Sequence, residues 1–301
     1  MRMSFKRWHK EKMIESTLFA VATATVLILI LIFLFLFRDG LGLFDTYSFS
    51  TFITGQAWHP TSYNPQYGLV PLFLGSLLVT FGAICISVPL GITSAIYISE
   101  IADPRVSEVL KPFVEILAGI PSVVYGFFGL VVLAPYIQLW LDLPTGQVAL
   151  TGSIMLSIMA LPTIISIAED AISSIPSSLK EGSLAMGATR WQTIYKVVLP
   201  ASLSGISAAV ILGIGRAIGE TMTVMMVTGN AAVIPGMPEG IIESVRTMTA
   251  TIALEMGEVS MGSEHYHALF AVGSVLFLTT FILNLIADRI KNRYKFKLEG
   301  S

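Results

Sequence analysis

Charge is what this sequence has least of. Only 13% of its 301 residues are Asp, Glu, Lys or Arg, against 54% hydrophobic, and a soluble domain normally carries about twice that charged share. Mean hydropathy is +0.76, so an ordinary soluble domain is excluded. There is one cysteine, Cys85, which rules out an internal disulfide; its place in an apolar run reads as a small packing residue. No Gly-x4-Gly-Lys-Ser/Thr occurs, so the chain does not hold ATP in a P-loop of its own. No nucleophile–base arrangement is recognisable either, and the expectation is a protein that is not an enzyme by itself. The basic residues lie at the edges of the apolar runs rather than in one patch, so no nucleic-acid partner is expected.

Apolar runs of about 20 residues, each long enough to cross a bilayer, fill most of the chain. The expected fold is all-α and polytopic, with six transmembrane helices. The first span covers Thr17–Phe37 behind a basic segment; Arg38 follows at once and no small-x-small cleavage site ends it, so it reads as an uncleaved anchor. The others cover about 70–98, 113–139, 148–167, 199–227 and 268–286. Residues 38–67 lack lysine and carry Trp58, Tyr63 and Tyr67, which suits an external loop with interfacial aromatics. The chain divides into an anchor and loop (1–67), a membrane-spanning domain (68–290) and a basic tail (291–301).

Fifteen of the eighteen Lys and Arg residues fall on one side of this topology: the N-terminus, the 99–112 loop, the 173–196 region and the tail. By the positive-inside rule both termini are cytoplasmic, and the protein sits in the cell membrane.

The segment at 173–196 is polar between two apolar spans. Ser178 and Glu181 have capping-box spacing, as do Thr189 and Gln192, so two short helices are expected. Gly187 is placed to end the first in a left-handed conformation, and Pro200 to bend the second where it enters the bilayer. Such an element is either a solvated reversal or a rigid docking element. Glu181-Gly182-Ser183, with Gly187 six residues after the glutamate and Val197-x-Leu199-Pro200 beyond, resembles the EAA loop of ABC-importer permeases. It departs at the two alanines and one isoleucine of that pattern. The resemblance implies that Lys180, Glu181, Gly182, Ser183, Ala185, Gly187, Thr189 and Arg190 dock into an ATP-hydrolysing subunit.

The second informative stretch is Gly213-Ile214-Gly215-Arg216-Ala217-Ile218-Gly219-Glu220-Thr221-Met222. At about 1.5 Å per residue, Arg216 lies roughly 23 Å along the helix from Ala201, beyond the bilayer middle. Arg216 and Glu220 are four apart and are expected on one helical face. They form either a self-neutralising pair that locks packing, or a site where the arginine meets a permeating anion and the glutamate holds it when the path is closed. A planar guanidinium suits an oxyanion because it donates two parallel hydrogen bonds.

This stretch, together with Ile120-Pro121-Ser122-Val123-Val124-Tyr125-Gly126 and Arg246-Thr247-Met248-Thr249-Ala250-Thr251, resembles the PstC family of phosphate permeases over about residues 70–290. The resemblance implies a MetI-like permease core with one extra N-terminal helix, importing inorganic phosphate by alternating access. It also implies a PstA-like second permease, two PstB-like ATPases that bind the ATP, and an external PstS-like phosphate-binding protein, with no cofactor on this chain. Arg216 and Glu220 carry the family's pathway role, and Thr221, Ser122 and Tyr125 are further pathway candidates. Another oxyanion such as sulfate or molybdate is the alternative cargo. A passive anion channel or a phosphate-status sensor is the alternative of another class.

Elsewhere, Glu115 and Glu169-Asp170 read as interfacial or gate-stabilising charges. Ile241, Val245, Met248, Ile252 and Met256 recur at helical spacing, suggesting an amphipathic external helix. Glu258, Glu264, His265 and His267 lack the rigid spacing a metal site needs, so no metal is expected.

Overall fold

The computed structural model describes residues 5–236 and 239–299. The N-terminal Arg2 and the end of the basic tail lie outside the described residues, as do the side chains of Lys6, Arg7, Lys10 and the tail bases beyond Arg289. Fifteen elements follow: α1 (Phe5–Leu41), α2 (Phe49–Thr54), β1 (Trp58–His59), β2 (Gln66–Tyr67), α3 (Val70–Ile96), α4 (Pro104–Gly119), α5 (Ser122–Phe128), α6 (Ala134–Leu141), α7 (Ala149–Ser173), α8 (Ser177–Ala185), α9 (Arg190–Thr193), α10 (Leu199–Gly219), α11 (Met222–Val227), α12 (Met248–Glu255) and α13 (Glu264–Glu299). Single π-turns follow α3 (Tyr97–Ile101), join α5 to α6 (Gly129–Leu133) and join α9 to α10 (Ile194–Val198). Among the described residues, six helices are long and apolar enough to cross a membrane.

Backbone groups in a bilayer must be satisfied within the chain, and helices do this locally. Side-chain hydroxyls follow the same rule. In α1, Thr17, Thr23 and Thr25 donate to the carbonyls of Met13, Phe19 and Val21 at 2.8, 2.8 and 3.0 Å. α1 packs chiefly along α13, where Ser274 Oγ donates to the Leu36 carbonyl and Phe33 meets Phe277. Otherwise its apolar side chains are exposed, as expected of an added peripheral helix.

The centre of the molecule is the α3–α7 pair, with α10 beside α7. Lipid tails are as apolar as leucine, so close approach rather than a hydrophobic drive holds such helices together. Small residues supply it: Ser153 Oγ of α7 donates to the Val79 carbonyl of α3 at 3.2 Å, and Gly91 faces Ile164. Three buried clusters stack along this axis. One, at the loop end, holds Leu43, Phe52, Trp58, Tyr67, Leu72 and Leu269; the middle one holds Val79, Tyr125, Met155, Met159 and Val224; the third, at the hairpin end, holds Ala95, Ala168, Ile172, Val198 and Ile206.

Four expectations are corrected. The third span does not start at 113: α4 ends at Gly119, Ile120 and Pro121 are extended, so the helix-breaking residues there do interrupt it, and the span proper is Ser122–Leu141. The residue before a proline is driven from the helical region, which places the break there. Trp58 and Tyr67 are core residues rather than interfacial ones, 2% and 3% exposed, because the short β1–β2 hairpin turns both rings inward against each other. Cys85 is exposed on α3 rather than packed. The 241–256 stretch is not an amphipathic surface helix: Val245 and Met248 are buried, Val245 pairs with Gly229 in an isolated parallel bridge, and only 248–255 is α-helical. This segment folds back into the bundle. Gly75 permits it, since a Cβ there would lie 2.5 Å from the Arg246 carbonyl oxygen.

At the hairpin end, Lys111 of α4 pairs with Glu169 of α7 at 2.9 Å, and the Ser173 hydroxyl donates to the same carboxylate. Glu169 is buried while Lys111 is half-exposed. Lys111→Met leaves a buried carboxylate with one hydroxyl for compensation, and it is expected to cost about 1–3 kcal/mol of stability. A lowered melting temperature of the detergent-solubilised protein checks this.

Candidate functional site

The structure brings the sequence-selected residues together at two places, one inside the bundle and one at its hairpin end. Inside, two helices break side by side. α10 ends at Gly219, Glu220 is extended, and α11 begins at Met222; α4 ends at Gly119 and α5 begins at Ser122. The two short helices pack on each other, Thr223 Oγ1 of α11 donating to the Ser122 carbonyl at 2.9 Å. The Tyr125 hydroxyl reaches back across the other break to the Leu117 carbonyl at 2.8 Å.

The expected intrahelical Arg216–Glu220 pair does not form. Glu220 lies past the end of α10, so the two residues no longer share a helical face. Its carboxylate instead accepts from the Thr223 N–H at 3.2 Å, capping α11, while its backbone carbonyl accepts from Thr249 Oγ1 at 2.8 Å. A glycine at the last helical position and a carboxylate able to cap the next helix outweigh one ion pair. Thr221 Oγ1 lies 3.4 Å from the Gly219 carbonyl, within the break itself.

Arg216, half-buried, donates from Nη1 to Thr163 Oγ1 of α7 at 3.0 Å. Among the described residues no carboxylate lies within ion-pairing distance of it. A charge at bilayer depth costs at least about 2.5 kcal/mol on insertion scales unless a partner or water receives it. One neutral hydroxyl occupies one of five N–H donors and leaves the rest of the fork for an incoming anion. Thr163 escaped the sequence reading; its only signal was a hydroxyl beside Pro162 in the middle of a span.

At the hairpin end, α8 and α9 form the expected bent element, with one change. Pro176, not Ser178, stands at the start of α8, and Ser178 makes no capping bond. A proline there already sets the φ and lacks an orphan N–H. The second capping box is complete: Thr189 Oγ1 accepts from Gln192 N–H at 3.2 Å and Gln192 Oε1 accepts from Thr189 N–H at 2.9 Å. Gly187 has φ +84°. The Ala188 and Gly187 N–H groups bond back to the Ser183 and Leu184 carbonyls at 3.3 and 2.9 Å, a full Schellman closure. Ser183 Oγ and Thr193 Oγ1 brace the two helices at 2.9 Å.

Lys180, half-buried, and Arg190, exposed, both reach back to Glu100, through a 2.5 Å ion pair and a 2.7 Å bond to its carbonyl. Glu181, Gly182, Ala185 and Thr189 are exposed, and with them the apolar side chains of Leu184, Met186 (89%), Trp191 (64%) and Tyr195. An exposed apolar cluster on a rigid polar-backed hairpin has the composition of a protein-docking surface. The sequence reading selected the loop's polar positions and missed this apolar face and Glu100.

No group of three or more metal-binding side chains occurs among the described residues. His265 instead bonds Glu255, which also receives Arg246 and Trp58.

Residues 87–296 match the family described as the binding-protein-dependent transport system inner membrane component. A probable ABC transporter permease protein, YqgH of Bacillus subtilis, is 46% identical over 244 residues, 81% of this chain and 78% of that protein. The phosphate transport system permease protein PstC of Mesorhizobium japonicum is 37% identical over 261 residues, 80% of this chain and 78% of that protein. Among solved structures, a bacterial ABC transporter involved in alginate import superimposes with a TM-score of 0.63, covering 95% of this chain and 99% of that one at 17% identity. The MetNI methionine transporter, inward facing, gives 0.59 over 75% of this chain and 95% of that one at 20% identity.

Proposed function

From the premise that this chain belongs to the binding-protein-dependent transport system inner membrane components, we propose that it is the phosphate-conducting permease of an ATP-driven importer. It is a multi-pass membrane subunit that translocates and leaves ATP hydrolysis to a partner. An external binding protein and an ATPase are its implied partners. Within that reading the second permease is PstA-like, the two ATPases PstB-like and the binding protein PstS-like, and ATP is held by the ATPase. The chain itself needs no cofactor. Both termini and the α8–α9 hairpin are cytoplasmic, following the distribution of Lys and Arg. Residues 1–67 form the anchor and external loop, 68–290 the translocating domain and 291–301 the basic tail.

The single observation that carries the cargo assignment is Arg216: a half-buried guanidinium deep in a span with a threonine hydroxyl, not a carboxylate, as its partner. Phosphate presents the paired oxygens that a guanidinium fork receives. Glu220, engaged with α11 and Thr249, leaves that fork open and fixes the break beside it, while Thr221, Ser122 and Tyr125 line the paired breaks. ATP binding closes the ATPases, moves the hairpin through Glu181, Gly187 and the apolar face, and rocks α3, α7 and α10 so that the Arg216 region faces outward.

The test is ATP hydrolysis by the assembled complex in the presence of loaded binding protein. Phosphate-loaded protein stimulates it; sulfate- or molybdate-loaded protein does not. Stimulation by another oxyanion reassigns the cargo, and anion flux without ATP makes the protein a channel. A further expectation concerns Thr163→Val, which removes the hydroxyl that aims Arg216. The KM for phosphate rises by about tenfold or more, the worth of one hydrogen bond to a charged group, while the ATPase still co-purifies.

A further inference from the structure

Glu100 occupies a position that its place in the sequence does not suggest. It lies in the π-turn Tyr97–Ile101 at the hairpin end of α3, where the inserted residue rotates the following side chains out of the α-helical register. The turn aims Glu100 at the hairpin, and its side chain is only 10% exposed.

Both arms of the hairpin hold this one residue. Lys180, in the middle of α8, gives its ammonium to Glu100 Oε1 at 2.5 Å. Arg190, the first residue of α9, donates from Nη2 to the Glu100 backbone carbonyl at 2.7 Å. The arms are also fastened to each other by the Ser183–Thr193 hydroxyl pair at 2.9 Å, and Thr193 is buried. The hairpin is thus a closed triangle with α3 as its third corner. Its covalent exit is different: α9 runs through the π-turn Ile194–Val198 into α10. A displacement of the hairpin reaches α7 and α10 through the chain, and α3 through the packing of those two helices and, directly from both arms, through Glu100. α3 is the helix packed most closely on α7, which carries Thr163.

We propose that Glu100 is the coupling clamp of this permease, holding the docking hairpin to α3 so that an ATPase-driven movement displaces α3 and α10 as one body. Glu100 is a positioning residue and touches neither cargo nor nucleotide. The clamp uses a nearly buried carboxylate, whose removal leaves Lys180 uncompensated and the triangle open on one side. The Arg190 bond to the backbone carbonyl persists in any side-chain variant, so the hairpin keeps its shape and loses the α8 half of its grip. This inference rests on the importer reading.

The experiment uses the full complex in vesicles and measures three quantities for each variant: ATPase retained on purification, ATP hydrolysed, and anion transported per ATP. For Glu100→Gln the ATPase stays bound and hydrolysis continues, while anion transported per ATP falls by about fivefold or more, the lower end of coupling free energies between sites. The exchanged pair Glu100→Lys with Lys180→Glu restores the ion pair in reverse and recovers most of the ratio, whereas Glu100→Lys alone does not. An unchanged ratio in Glu100→Gln overturns the clamp, and so does loss of ATPase binding, which would make Glu100 a docking residue. An exchanged pair that assembles but regains no coupling overturns it as well, and it decides the matter if the single variants fail to assemble. Failure of the importer reading shows itself separately, as a wild-type complex that moves no anion in response to ATP.

Discussion

Arg216→Gln reduces ATP-driven phosphate uptake by at least about a hundredfold, the loss expected when two charge-assisted hydrogen bonds to the passing anion are removed. Glutamine keeps a polar, uncharged, unbranched side chain with good helix propensity, so α10 is expected to stay helical, although the shorter side chain gives up the bond to Thr163. What it lacks is the charge and the fork. ATPase docking is expected to be intact, because Arg216 stands near the far end of α10, roughly 25 Å from its start at Leu199 at 1.5 Å per residue. Arg216→Lys keeps the charge but replaces the fork with a strongly hydrated point charge, and about a tenth of the uptake remains. Uptake and ATPase retention measured on the same preparations separate these outcomes from misfolding. Equal uptake by wild type and Arg216→Gln removes Arg216 from the pathway.

Gly187→Val detaches the motor. The obstacle is entirely backbone: φ is +84° and no atom lies within 4 Å of a Cβ built there. A non-glycine residue in that region costs about 1–2 kcal/mol, and a β-branched one more. The chain is expected to relieve that strain by opening the Schellman closure, which swings α8 away from α9 and disperses the apolar face of Leu184, Met186 and Trp191. Co-purification of the ATPase is expected to fall by about tenfold or more, since each 1.4 kcal/mol is worth a factor of ten. Phosphate uptake falls with it, while expression of the permease stays near normal. Gly187→Asn, which tolerates the left-handed region, recovers most of the binding. An ATPase that remains bound to Gly187→Val shows that the hairpin's shape is not what it recognises.

The spans were legible because a bilayer imposes one rule: about 20 apolar residues bounded by charge. Thr17–Phe37 could hardly be anything else, and the polar hairpin stood out as its opposite. Gly187 and the Thr189–Gln192 box were readable because caps depend on neighbours a few residues away. The breaks at Pro121 and Glu220 were harder. Each lies within an apolar run that hydropathy reads as one span, and the Glu220 break is decided by a contact with Thr223 and by Thr249 from a distant loop. The Arg216–Glu220 pair failed for that reason, since helical spacing predicts contact only while the helix continues. Trp58 and Tyr67 were misplaced because their aromatic character suits a membrane interface and a buried hairpin equally well. Thr163 and Glu100 could not be found from local sequence, because their roles come from α10 and from the hairpin, which the fold brings to them.

The central claim is that this chain passes phosphate inward under the drive of ATP, and accumulation of labelled phosphate in sealed vesicles tests it most directly. The vesicles carry the complete complex, with ATP on the hairpin side and the phosphate-loaded binding protein on the other. The account predicts that labelled phosphate accumulates against its gradient on the ATP side, and that accumulation stops when ATP is withheld. Phosphate that equilibrates at the same rate with and without ATP, or that does not cross at all, contradicts it.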